Sequence, residues 1–271
     1  LSIFVSICCL GIDHDLPNTI SSCFDMANNP EEVYIGIACI GEESFYKEIS
    51  QLFNNKNITI SYHESTGNIG VGKGRKLAAD LYDNQDYFLQ IDSHTLFRKD
   101  WDIKILDKYI EALKKFNTDR VVFSGYLSGY KYIEQDGNIY QFNDTQDIAY
   151  NYWHKDEFFM NPNIIPKWTH ASMNHFSDDI IKESETGFLP CKKITAMFLF
   201  GSKKLAKNLC LPEHLVFWEE EIIQTIELID NNFILVHPVM ESPISHLYFQ
   251  GTLRQYGFRT SLKMYLRKNN K

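Results

Sequence analysis

Three short apolar runs open the chain: SIFVSICCL at 2–10, VYIGIACIG at 33–41 and ITISYHE at 58–64. Each has the length and β-branched content of a buried strand. Between them the period changes. DLPNTISSCFDMANN reads as a helix entered at Pro17 or Asn18, and EESFYKEISQLFNN carries apolar residues at helical spacing. RKLAADLYDN is a third helix and DYFLQID a fourth strand. This alternation predicts an α/β fold: a parallel sheet with helices on both faces, binding ligands beyond the carboxyl ends of its strands. Asp92 falls at such an end.

Farther on, WDIKILDKYIEALKKF is an amphipathic helix and RVVFSGY a strand. From Leu127 to about Pro190 the period is lost in favour of Asn, Asp, Tyr and Trp. A long aperiodic region inside a compact domain is usually functional. Regularity returns with KITAMFLFGSKKLAKNL, EEEIIQTIELIDNN, FILVHP and ISHLYF. There is no internal repeat, so one domain with an irregular insertion is expected.

The 271 residues can bury a sizeable core, and 44% hydrophobic with 23% charged residues is ordinary for a soluble protein. No stretch reaches the roughly 18 apolar residues that span a bilayer, so no membrane partner is expected. The opening LSIFVSICCLG lacks a basic region and a cleavage site, and reads as a buried strand rather than a leader. The six cysteines form no CxxC pair, which points to a reducing, cytoplasmic compartment. A net charge of −8 argues against wholesale nucleic-acid binding. Yet residues 251–271 hold six Lys or Arg and no acid, which suits either a solvated helix or a surface facing phosphates or an anionic partner.

Two stretches carry candidate chemistry. Gly67–Gly74 reads GNIGVGKG, close to an ATP-binding loop, but Gly74 stands where the Mg²⁺-holding Ser or Thr belongs. A P-loop-like nucleotide hydrolase is therefore a weak alternative. The glycines are expected to form a turn before the helix RKLAADLY and to let backbone approach a ligand. In FLQIDSHTLFRKDWD, Asp92 and His94 lie two apart at a strand end and so point the same way. They could share a divalent cation, or be a helix-capping Asp and a surface His.

YFLQIDSHTLFRKDWD resembles the metal-binding motif of the cytoplasmic-type polypeptide N-acetylglucosaminyltransferases that modify hydroxyproline. More distantly it resembles the polypeptide N-acetylgalactosaminyltransferases. GKGRKLAADLY, VVFSGYLSGY, ITAMFLFGSK, PEHLVFWEEEIIQTIELIDNNFILVHP and ISHLYFQ resemble further family segments in the same order. The likeness covers roughly 1–126 and 190–250. It implies a GT-A glycosyltransferase domain, Rossmann-like, over 1–250, with 127–189 an irregular acceptor-side insertion and 251–271 a basic C-terminal segment. It also implies a retaining, metal-dependent transfer from a UDP-sugar to a hydroxyl. Two positions depart from the pattern: Gln250 replaces an Arg and Glu219 a Gly.

The resemblance assigns Asp92, His94 and His246 as metal ligands, with Mn²⁺ (or Mg²⁺) favoured by the mixed O/N set. PISHLYF is expected to be a surface loop returning over the strand ends. Arg75 and Lys73 are candidates to hold phosphate or steady Asp92, or are a solvated helix start. Glu220 or Glu221 would touch the donor sugar or the acceptor, although acids also favour a helix N-terminus for its own sake. Asp13 could bind uracil or ribose, and Trp218 could stack on a sugar or pack the core. The acceptor is expected to be a protein. A hydroxylated base in DNA is the alternative that the basic tail suggests, and a binding module with a degenerate site is a further one. The sugar and the oligomeric state are not legible.

Overall fold

The computed structural model describes residues 1–65, 69–135, 138–144, 187–191, 193–209, 211, 213, 219–240 and 242–247. Twelve strands are described: β1 Ile3–Leu10, β2 Val33–Ile40, β3 Ile58–His63, β4 Tyr87–Asp92, β5 Thr95–Phe97, β6 Val121–Ser124, β7 Ser128–Gln135, β8 Asn138–Asp144, β9 Phe188–Pro190, β10 Phe198–Ser202, β11 Ile234–Pro238 and β12 Ile244–His246. The helices are α1 Leu16–Asp25, α2 Glu43–Leu52, α3 Val71–Ala79, α4 Trp101–Phe116, α5 Lys203–Asn208 and α6 Glu219–Asp230.

Eight strands form the main sheet, in the order β3-β2-β1-β4-β10-β6-β11-β9. The first four are mutually parallel, as the alternating runs predict, and β10 enters antiparallel between β4 and β6. Alternate residues of β1 face opposite sides. Ile3, Val5 and Ile7 pack with α1, α2 and α4 through Leu16, Ile20, Phe45, Ile49, Trp101 and Ile105. Phe4 packs on the other side with Phe88, Leu199, Leu205 of α5 and Leu228 of α6. Among the described residues, no helix is long and apolar enough to cross a membrane.

A second sheet, β5-β12-β7-β8, lies past the end of β4. Its β7–β8 hairpin corrects the expectation that regular structure stops at Leu127. The pairing runs from Gly129↔Asp144 to Gln135↔Asn138. The sequence signal was an Asp136-Gly137 dipeptide between Tyr- and Ile-bearing runs, a strong hairpin cue. Residues 145–186 of the expected insertion lie outside the described residues.

Helix α3 begins at Val71, not at Arg75, so Gly72 and Gly74 are inside the helix rather than in a turn before it. The reason is packing. A Cβ on Gly74 would stand 2.3 Å from Cys8 Sγ and 3.0 Å from Ile40 Cδ1. Small residues here let α3 lie close on β1 and β2 and carry Arg75 down to the sheet.

That contact sets a test. Gly74→Ala should destabilise the protein by about 1–3 kcal/mol through overpacking. Cys8→Ala in the same chain removes the clashing sulfur and should recover most of the loss. Thermal melts of the two variants check this, and equal melting temperatures for single and double variants would contradict it.

Candidate functional site

Asp92 ends β4, which is paired with β1 at the centre of the sheet. Its Oδ1 accepts from Arg75 Nη2 at 3.0 Å. Arg75 Nη1 donates to Glu220 Oε1, a short contact. One guanidinium thus joins two carboxylates that come from β4 and α6, elements far apart in sequence. The ionic cluster is well covered: the Arg75 and Glu220 side chains are 9% and 1% exposed. Burial alone disfavours the charged form of each group. Burial pushes Asp92 upward, but the His246 hydrogen bond and the Arg75 charge outweigh it and hold the carboxyl well below its ordinary range. Burial likewise lowers the Arg75 pKa, but Asp92 and Glu220 drive it above normal.

The other oxygen of Asp92 faces two imidazoles. His246 Nε2 lies 3.1 Å and His94 Nε2 3.8 Å from Oδ2. The three side chains offer ligand atoms that lie within 4.8 Å of one another. An O/N/N set at this spacing fits a divalent cation. The two rings meet edge-on with centroids 4.7 Å apart. Asp13 stands behind His94, its Oδ2 2.8 Å from Nδ1. With the Nδ1 proton drawn to Asp13, Nε2 would keep its lone pair for the cation side. Asp13 also accepts from Ser93 Oγ at 2.7 Å through Oδ2 and from the Asp15 N–H at 3.1 Å through Oδ1. Burial pushes its pKa up, but the His94 and Ser93 bonds bring it well below the ordinary value. The assignment of Asp13 to uracil or ribose therefore competes with an observed contact to His94. Ser93 has no signal of its own in the sequence, as a serine between an aspartate and a histidine.

His246 is not on a surface loop. It lies in β12, 5% exposed, paired with Thr95 of β5 and Gly129 of β7. The Leu247 N–H donates to the His94 carbonyl at 3.0 Å. Backbone pairing fixes the two histidines side by side, which no local sequence pattern could reveal.

Glu220 and Glu221 have different surroundings. Glu220 is buried, with Oε1 on Arg75 and Oε2 without a hydrogen-bond partner among the described residues. Glu221 Oε1 accepts from the Ala196 N–H at 2.8 Å, and Lys193 Nζ lies 3.3 Å from Oε2. Burial raises the Glu221 pKa, offset in part by Lys193 and the Ala196 N–H. Sequence reading missed Lys193, one of many surface-type lysines until the fold places it here. Lys73 is not in the cluster: its Nζ lies 4.0 Å from Glu213 Oε2, and both side chains are exposed. Trp218, Gln250 and the basic segment 251–271 lie outside the described residues.

A family model described as "Glycosyltransferase (GlcNAc)" matches residues 39–257. No curated protein matches the chain. Among solved structures, S. aureus TarS 1-349, determined with UDP-GlcNAc, is similar at TM-score 0.57 and 13% identity, covering 93% of this chain and 60% of TarS 1-349. GalNAc-T7, determined with UDP, GalNAc and Mn²⁺, is similar at TM-score 0.56 and 9% identity, covering 92% of this chain and 44% of that one. The fold is thus that of GT-A glycosyltransferases, while the chain spans less than two thirds of either structure.

The Arg75 bridge generates a stability test. Arg75→Met leaves the buried Glu220 and the half-buried Asp92 carboxylates without their shared cation and should cost about 3–5 kcal/mol at pH 7. Asp92 has a folded pKa below its unfolded value, so its contribution is full above about pH 4 and is lost as pH falls through the folded pKa. Denaturant titrations should show the gap between wild type and Arg75→Met shrinking as pH falls below about 4. A gap that is constant with pH would mean that charge is not what Arg75 supplies.

Proposed function

Because the chain belongs to the glycosyltransferase (GlcNAc) family, we propose that it moves a sugar from a UDP-sugar to a hydroxyl on a protein acceptor, with retention at the anomeric carbon. It would act as the cytoplasmic, hydroxyproline-modifying type does, and UDP-N-acetylglucosamine is the donor to test first. The observation that carries this reading is the convergence of Asp92, His94 and His246 at the end of β4.

In this proposal those three residues hold Mn²⁺ or Mg²⁺. A cation there supplies positive charge against the diphosphate oxygens as negative charge builds on the departing UDP. Asp13 orients His94. Arg75 fixes the Asp92 carboxylate and, through Glu220, the start of α6. Glu221, less buried than Glu220, faces the sugar or the acceptor. The C1–O bond to UDP breaks, the bond from C1 to the acceptor oxygen forms on the same face, and the hydroxyl proton goes to the departing diphosphate. No protein base is required by that route. A nucleotide hydrolase is not favoured, since Gly72 and Gly74 lie inside helix α3 and Gly74 is used in packing it on the sheet.

Two measurements test this. Calorimetry should show UDP binding at least about tenfold tighter with Mn²⁺ than with EDTA, and His246→Ala should remove most of that difference. Equal UDP affinity in both conditions would end the cation assignment. In transfer assays with UDP-N-acetylglucosamine, Glu221→Gln should lower kcat by about tenfold or more while UDP affinity stays within about twofold. Matching losses in both would place Glu221 on the diphosphate or in a structural role.

A further inference from the structure

The buried face of helix α6 is polar over its first two turns and apolar after them. Glu220, Gln224 and Leu228 recur every fourth residue on that face, each at most 1% exposed. The strands beneath step in twos. Phe4 with Phe88, Ser6 with Gln90 and Cys8 with Asp92 are partners across β1 and β4. Four helical residues rise about 6 Å and two strand residues about 6.6 Å, so the rows match. Leu228 packs with Phe4 and Phe88 at one end. Glu220 meets Arg75, and through it Asp92, at the other. Gln224 therefore stands over the middle row, Ser6 and Gln90.

Residues 194–196 run between the two elements and agree with that placement. The Ala196 carbonyl accepts from Gln90 Nε2 at 2.8 Å, while the Ala196 N–H donates to Glu221 Oε1. The Ile194 N–H donates to Thr225 Oγ1 at 3.1 Å. The turn of α6 that carries Gln224 is thus tied to the strand that carries Gln90.

Five buried polar atoms of this layer have no hydrogen-bond partner among the described residues: Ser6 Oγ, Gln90 Oε1, Gln224 Oε1 and Nε2, and Glu220 Oε2. Buried polar groups in folded proteins are paired, with water where other protein atoms are out of reach. The four oxygens offer lone pairs, while Ser6 Oγ and Gln224 Nε2 offer protons. Water serves both kinds. A cation would satisfy the oxygens, leave Nε2 unpaired and add positive charge beside Arg75. A buried water makes about three hydrogen bonds, so five unpaired atoms correspond to about two waters.

We propose that this layer is an internal hydration site. About two water molecules bridge Gln224 to Glu220 Oε2 on the helix side and to Ser6 and Gln90 on the sheet side. The bridge gives the second oxygen of Glu220 a partner while the first stays on Arg75. Gln224 is then a positioning residue. Through water it fixes Glu220, and through Glu220 the guanidinium that holds Asp92. This assignment does not depend on which sugar or acceptor the site takes.

Magnetic relaxation dispersion of the water signal counts long-lived internal waters of the full chain in solution. Gln224→Met, similar in length but without the amide, should lose about two of them, and the milder Ser6→Ala about one. Thermal melts identify a variant that fails to fold, and Ser6→Ala then carries the count. Crystals of the full chain should show water density between Gln224, Glu220 Oε2 and the Ser6–Gln90 pair. In Gln224→Met the Arg75 Nε–H should exchange with solvent about threefold or more faster, because Glu220 has lost its second anchor. Equal water counts in wild type and variants, or side chains that close the layer by direct hydrogen bonds, would overturn the proposal. An anomalous peak in the layer after growth in rubidium chloride would give the site to a monovalent cation and overturn it as well. Unchanged Arg75 exchange would overturn the link from the waters to Arg75.

Discussion

A carboxylate has two oxygens, and Asp92 uses them in opposite directions. Oδ1 accepts from Arg75, while Oδ2 faces His246 and His94. The first contact makes the second possible. A buried carboxylate without a cationic partner would take up a proton, and a protonated acid is a poor ligand. The His246 hydrogen bond and the Arg75 charge together keep Asp92 ionised, and Arg75 holds one oxygen so that the other faces the histidines. Because Arg75 also holds Glu220, the same guanidinium ties α3 and α6 to the end of β4. The Gly74 contact with β1 belongs to this arrangement, since a larger residue would lift Arg75 away from Asp92.

The second sheet supplies the rest. β5 begins at the residue after His94, and β12 lies on β5 with Thr95 opposite His246. A histidine that is distant in sequence thus becomes a neighbour of His94 through ordinary strand pairing, and its rotamer is confined by burial. Asp13, at the end of the first βα connection, completes the shell behind His94. Five chain segments, bearing Asp13, Arg75, Asp92 with His94, Glu220 and His246, converge on one small region, consistent with ligand sites lying outside the carboxyl ends of strands.

Much of this was legible in the sequence because the first half of the domain obeys local rules. Short β-branched runs alternating with 3.6-period segments announce parallel strands and covering helices, and Asp92 with His94 at two-residue spacing can be found by eye. What stayed hidden is non-local. Nothing near Arg75 indicates Glu220, and nothing near His246 indicates β5; only the resemblance to known transferases singled it out. The start of α3 was misplaced for a related reason. Glycine is a poor helix former, so GKG reads as a turn, but tertiary packing against Cys8 selects it inside the helix. The β7–β8 hairpin had its own signal in Asp136-Gly137, obscured by the polar residues around it.

The account rests on Asp92, His94 and His246 acting together on one cation beside a bound nucleotide. Anomalous diffraction from crystals grown with Mn²⁺ and UDP tests that most directly. The account expects a single manganese peak in contact with Asp92 Oδ2, His94 Nε2, His246 Nε2 and the diphosphate. Manganese bound elsewhere, or UDP bound at the sheet edge with no manganese between these three side chains, would contradict it.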